Sequence, residues 1–237
     1  MEENHGKAGI STHRMAEDRY QRATVYAIVL LIIGIAMLAS ITISGRLGLL
    51  GIIIPIVILS IANRLEKKGL FLKKRAKDAE RGAYGEEKVE RELKTLPESY
   101  NTFHDLVFNG FNIDHVVIGP GGIFLIETKS HRGRVDAQGD TLLLNGSPPQ
   151  KDFLKQTWAQ TFQLKDFLKK HTSKEWYVKP VLCFTQAYVN IRQPIKGIDV
   201  VNVGYLAKYL ARQRHPLKTE EKEGLVRILQ SCLSEQR

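Results

Sequence analysis

Acidic residues are the minority charge in this chain: 25 Asp and Glu stand against 35 Lys and Arg, a formal net charge of +10 over 237 residues. That balance argues against a cationic partner and favours a polyanion, either a nucleic acid or an anionic lipid surface. Cysteine is scarce as well. Cys183 and Cys232 lie far apart without Cys-x-x-Cys or Cys/His spacing. This excludes a disulfide framework and a structural zinc site, and it fits a reducing compartment. There is no internal repeat and no low-complexity tract. The glycine-rich Gly119–Gly122 lacks the Lys-Ser/Thr of a phosphate-binding loop, so it reads as a turn.

The most informative lack is local. No charged residue occurs from Ala23 to Ile43, and none from Leu47 to Asn63. Each run approaches the length that crosses about 30 Å of hydrocarbon at about 1.5 Å per residue. Neither has a polar face of the kind an amphipathic core helix would show. Pro55 kinks the second run without forbidding it. The expectation is a tight transmembrane hairpin turning at Ser44, Gly45 and Arg46, with a re-entrant segment as the alternative.

Flanking charge orients the hairpin. Arg14, Arg19 and Arg22 precede it, and Arg64, Lys67, Lys68, Lys73, Lys74 and Arg75 follow it, against a lone Arg46 in the turn. A multi-pass protein of the cell membrane with both termini cytoplasmic is therefore expected. The polar stretch that comes first, with Glu2, Glu3, Glu17 and Asp18, argues against a cleaved signal peptide. The basic segment after the hairpin suits anionic lipid headgroups, with nucleic-acid phosphates as the alternative ligand.

Beyond Arg81 the pattern is mixed. Helices are predicted over Asp78–Leu96, Lys151–Lys170, Tyr205–Arg212 and Glu220–Leu233. Strands are predicted over Thr102–Phe108, Ile113–Ile118, Ile123–Lys129, Val178–Phe184 and Ile198–Val203, with a weaker pair around Arg134 and over Thr141–Leu144 separated by Gln138 and Gly139. This order predicts an α/β or α+β sandwich around a central sheet flanked by helices.

Pro120-Gly121 suits the centre of a turn, because Pro presets φ and Gly accepts a positive one. The two β-rich runs on either side should pair as an antiparallel hairpin in which Ile118 faces Ile123 and Asp114 faces Glu127. Directly opposed residues share a face about 5 Å apart, and Lys129 is the diagonal neighbour on that face. Two carboxylates brought together in this way repel unless something cationic lies between them. Oxygen ligands and a nearby ammonium suit Mg²⁺, with Mn²⁺ as the alternative ion, and the chemistry implied is phosphodiester hydrolysis.

Arg81-Gly82-Ala83-Tyr84-Gly85-Glu86, Asn112-Ile113-Asp114-His115, Gly119-Pro120-Gly121-Gly122-Ile123-Phe124, Glu127-Thr128-Lys129 and Gly133 together resemble the nuclease-related domain (NERD) family of the PD-(D/E)xK nuclease superfamily. The resemblance implies a restriction-endonuclease-like domain and Mg²⁺-dependent cleavage of DNA. It further implies Asp114, Glu127 and Glu86 as metal ligands, Lys129 as the catalytic lysine, and Gln156 as the glutamine brought by a helix, with Gln160 one turn further on. Ile113 stands where the superfamily's name has proline.

The organisation expected is thus a cytoplasmic tail (1–22), two transmembrane helices (23–63), a basic linker (64–78), a NERD domain (79–204) and C-terminal helices (205–237). A nuclease acting on DNA at the membrane is the leading expectation. A non-catalytic nucleic-acid binder or a scaffold is the alternative. His115 is expected in the core, and His131 on the site side.

Overall fold

A computed structural model describes residues 4–5, 7–43, 50–108 and 111–235. The expected turn at Ser44, Gly45 and Arg46 lies outside them. The chain divides into two compact units, Ser11–Arg81 and Gly82–Arg237, with Met1–Ile10 joining the second.

In the first unit, α1 (Ile10–Ile43) lies beside α2, which spans Leu50–Leu93 and passes into the second unit. The Arg19 guanidinium donates to the Arg75 carbonyl at 2.9 Å, and the Tyr20 hydroxyl donates to Glu80 Oε2 at 3.4 Å. Ile10–Ala39 contains the one helical stretch among the described residues that is long and apolar enough to cross a membrane, and only 6% of that window is buried. The second expected transmembrane run, residues 47–63, begins outside the described residues. The second apolar run opens α2, a helix of 44 residues whose later part is charged. Residues 64–78 are helical throughout, because Leu, Lys, Arg, Glu and Ala are strong helix formers and no proline interrupts them.

The second unit is α/β. One mixed seven-stranded sheet has the order β1-β2-β3-β4-β6-β7, with β5 paired off β4. The strands are β1 (Asn4–His5), β2 (Asn101–Phe108), β3 (Phe111–Gly119), β4 (Gly122–Gln138), β5 (Thr141–Leu144), β6 (Val178–Val189) and β7 (Asp199–Asn202). β2, β3 and β4 form an antiparallel meander, while β4, β6 and β7 run parallel. Helix α3 (Phe153–Thr172) links β5 to β6, and α4 (Val203–Arg212) and α5 (Thr219–Glu235) complete the chain.

The sheet sorts its apolar residues by alternation. On β4, Ile123 and Leu125 join Leu164 and Leu168 of α3 in one core cluster. Phe124 and Ile126 join Val89 and Leu93 of α2 in another. The same alternation carries Glu127 and Lys129 to the α3 side, where the site is built. The predicted hairpin register is observed from His115–Gly119 against Gly122–Ile126. The strands predicted over Ile123–Lys129 and around Arg134 are one continuous β4, and β6 outruns its predicted end, because their parallel pairing carries both past a bulge between Lys129 and Arg132.

Candidate active site

The β3–β4 ladder ends at His115 and Ile126, one residue short of the expected Asp114–Glu127 pair. Asp114 replaces the missing ladder bond with its side chain: Oδ2 accepts the Thr128 backbone N–H at 2.7 Å. Burial, reinforced by the negative charges of Glu127 and Glu86, pushes the Asp114 carboxyl well above the usual carboxylate range, while Lys129 and the Thr128 N–H pull it back. The three predicted carboxylates are thus electrostatically coupled.

Glu127 and Lys129 stand two apart on β4, so their side chains share a face. The Lys129 ammonium donates to Glu127 Oε1 in an ion pair that is largely buried. From α3, Gln156 closes the triangle: its Nε2 donates to Glu127 Oε1 at 2.7 Å, and its Oε1 accepts from Lys129 at 3.2 Å. An N-cap fixes the start of this helix, with Asp152 Oδ1 accepting the Lys155 N–H at 3.0 Å. Phe153 backs the ammonium, its ring centroid 5.0 Å from Lys129 Nζ.

Glu86 is buried on α2. The residue before it explains how it gets there. A Cβ on Gly85 would run into Ser130 Oγ and come within 3.2 Å of Ser130 Cβ and Thr185 Oγ1, so glycine lets α2 press onto β4 and β6 without displacing Ser130. Lys88, half a turn further on, donates from Nζ to the Thr185 carbonyl at 2.9 Å. At the far end of the site, Gly133 takes φ +100° with Asn145 against it, and Asn145 Oδ1 accepts the Arg134 N–H.

Several predicted placements resolve here. Gln156 reaches the Glu127–Lys129 pair, whereas Gln160 donates to the Asn112 carbonyl at 3.0 Å and so braces β3 just before Asp114. His115 is fully buried, its Nδ1 2.7 Å from Nδ1 of His104, and burial pushes its imidazole well below the usual histidine range. His131 packs on Phe153, with ring centroids 5.1 Å apart. Sequence reasoning passed over Phe153, Ser130 and Lys88. Only the apolar residue directly after the Asp152 cap offered a local signal.

Among the described residues, no group of three or more His, Cys, Asp or Glu side chains has the geometry of a metal site. The donor set nevertheless fits a hard cation, since Mg²⁺ takes one or two carboxylates and keeps its remaining waters. Glu127 Oε2 is buried without a hydrogen-bond partner, an oxygen that a cation would satisfy. Asp114 and Glu127 are the residues that would hold the ion, with Glu86 beside them.

No curated protein and no solved structure matches the chain. One family does match: its description is NERD, nuclease-related domain, and the match covers the stretch that runs from the glycine-bearing turn of α2 through the whole Asp114/Glu127/Lys129 cluster to Thr185 on β6. Residues 81–185 of this chain are a nuclease-related domain of the NERD family.

Proposed function

We propose that this protein is a membrane-anchored, Mg²⁺-dependent nuclease that hydrolyses phosphodiester bonds of DNA at the cytoplasmic face of a membrane. The observation that carries the reading is the part-buried triangle of Glu127, Lys129 and Gln156 beside the raised carboxyl of Asp114. A fold has little reason to bury an ion pair next to two further carboxylates for stability alone, because the desolvation cost rivals the Coulombic gain.

Bound at Asp114 and Glu127, a divalent ion supplies Lewis-acid polarisation of a phosphoryl oxygen and lowers the pKa of attacking water. The chain's own groups do the rest. Lys129 carries positive charge to where negative charge builds up on the transferring phosphate. Gln156 holds both Glu127 and Lys129 in place through its two amide atoms. Thr128's N–H orients Asp114, and Phe153 walls off water behind the ammonium.

The membrane part of the proposal rests on the apolar window within Ile10–Ala39 and on the exposed basic residues of α2, Lys67, Lys68, Lys73, Lys74, Arg75 and Lys77. These residues suit an anionic leaflet. In the multi-pass form, with both ends cytoplasmic, thiol labelling of a cysteine placed at Arg46 succeeds from outside intact cells.

A second reading is a nucleic-acid binder that does not cut. It draws on the seat that the Lys129 ammonium takes at Glu127 Oε1, where it neutralises a carboxylate that a metal would use. Full-length protein in detergent, incubated with plasmid DNA in Mg²⁺ or EDTA, separates the two. Cleavage that needs Mg²⁺ and disappears in Glu127→Gln and Lys129→Ala is the expected result. Salt-dependent binding without cleavage selects the binder.

A further inference from the structure

The three parallel strands share a register: Lys129 of β4 pairs with Phe184 of β6, and Phe184 pairs with Asn202, the last residue of β7. Asn202 therefore lies two strands from Lys129, about 10 Å across the sheet. Two clefts open there, both lined by Asn202, and together they border the end of β7.

The first cleft, about 330 Å³, carries the cations Lys88 and Arg91 together with Glu92, a net positive lining. Lys88 is already held over β6 by the Thr185 carbonyl. The second, about 300 Å³, has Tyr205 and Tyr209 in its wall, with Arg192, Gln193 and Asp199. Tyr205 is 41% exposed, and its ring is fixed by Arg212, which donates to its hydroxyl at 2.9 Å and stands 5.9 Å from its centroid. Tyr209 is only 8% exposed, and burial together with a hydrogen bond to Asp199 pushes its phenol up, so it is a neutral ring in this wall.

Cations followed by aromatic faces and amide edges match the chemistry of a nucleotide: an anionic link, a flat ring and a polar rim. A space of this size admits one splayed base. In a duplex the base faces are stacked and the edges paired, so neither is available to the tyrosines. We propose that the clefts at the end of β7 bind single-stranded nucleic acid running from the Lys129 site, with a phosphate at Lys88 and Arg91 and a base against Tyr205 and Tyr209. The proposal rests on the nuclease reading and adds to it the substrate class.

The test uses full-length protein in detergent with EDTA present, so that binding is read without cleavage. Fluorescence anisotropy measures the affinity for labelled oligodeoxythymidine, oligouridine and a duplex of equal length. Single strands are expected to bind at least tenfold tighter than duplex, and the stronger of the two oligomers names the sugar. Tyr205→Ala should weaken single-strand binding by about 5- to 150-fold, the worth of one stacked base, while Tyr205→Phe should restore it. Arg91→Ala should lower the salt slope by about 0.7. Tyr177→Ala, an exposed tyrosine outside the clefts, should change nothing. A preference for duplex, or single-strand affinity indifferent to Tyr205→Ala and Arg91→Ala, overturns the proposal. Failure of the nuclease reading looks different: tyrosine-dependent binding persists in EDTA, yet wild type cuts nothing in Mg²⁺.

Discussion

Leu31 and Leu38 on α1 stand 66% and 69% exposed, while Glu127 on β4 is 2% exposed. The first region shows water what water rejects, and the second hides from water what water prefers. Elsewhere the protein obeys the usual partition, with Phe103, Phe124, Phe184 and their neighbours fully enclosed. The contrast teaches that each violation marks a missing partner of a particular polarity. On the function proposed above, the partner of α1 is hydrocarbon, and that of the β4 cluster is a cation with a phosphate. The two can be broken independently, and the size of each response tests the assignment.

The largest response is expected from α1. Leu31→Lys together with Ile35→Lys places two ammonium groups in the middle of the apolar stretch, at about 2.5–3.5 kcal/mol each on the insertion scale. The doubly substituted protein should leave the carbonate-washed membrane fraction. If it stays in the pellet as firmly as wild type, the exposed face of α1 is covered by something other than lipid.

Next in size is the buried cluster. Lys129→Ala leaves Glu127 charged and supported by Gln156 alone, and Glu127→Gln removes the charge of the proposed ligand while keeping an oxygen that can accept from Gln156 Nε2 and from Lys129. Plasmid cleavage should fall by about 10²–10³ in each, the usual worth of one preorganised electrostatic group. Circular dichroism should show Glu127→Gln folded, whereas Lys129→Ala should lose stability, because one member of a buried pair is stranded. Membrane association should be unchanged in both.

The two regions also differ in how much of them the sequence disclosed. An uncharged run states its preference residue by residue, so the apolar stretch of α1 is visible without a fold. The convergence of Asp114, Glu127 and Lys129 was legible because Pro120-Gly121 set the hairpin register and alternation did the rest. What lay one shell out was not. Gln156 and Gln160 sit one turn apart on one helix face, and only the placement of α3 against β4 and β3 decides which of them meets Glu127. The continuity of α2 was hidden for another reason: a change from apolar to basic residues resembles a domain boundary, although both halves favour helix. The His104–His115 contact is likewise tertiary, formed by cross-strand pairing of β2 with β3.

A smaller effect is expected at Gly85. Alanine there favours the helix by about 0.5–1 kcal/mol but meets Ser130 Oγ, and the conflict should displace Glu86 from the site. Cleavage should drop about tenfold with little change in stability. Ser130→Ala in the same protein should return most of the loss, since it removes the atom in the way. Full additivity of the two substitutions in a double-mutant cycle would show that α2 does not press on β4 in this manner.

The smallest effect sharpens the comparison most, because it asks whether the buried charge is held at a cost. The folded Asp114 carboxyl binds its proton more tightly than the unfolded chain does, through burial and the neighbouring Glu127 and Glu86 charges. Its contribution to stability is therefore full below the unfolded carboxylate range and is lost as pH rises through the raised folded value. Asp114→Asn keeps an oxygen for the Thr128 N–H and removes the charge. In EDTA at neutral pH the variant should be more stable than wild type by about 1 kcal/mol, roughly 2–4 °C in a domain of this size. The decline of wild-type stability with rising pH should flatten in it. Added Mg²⁺ should stabilise wild type by mass action and the variant far less. A variant that melts below wild type in EDTA would mean that the Asp114 charge stabilises the fold, and the case for a cation awaited at this cluster would lose its electrostatic ground.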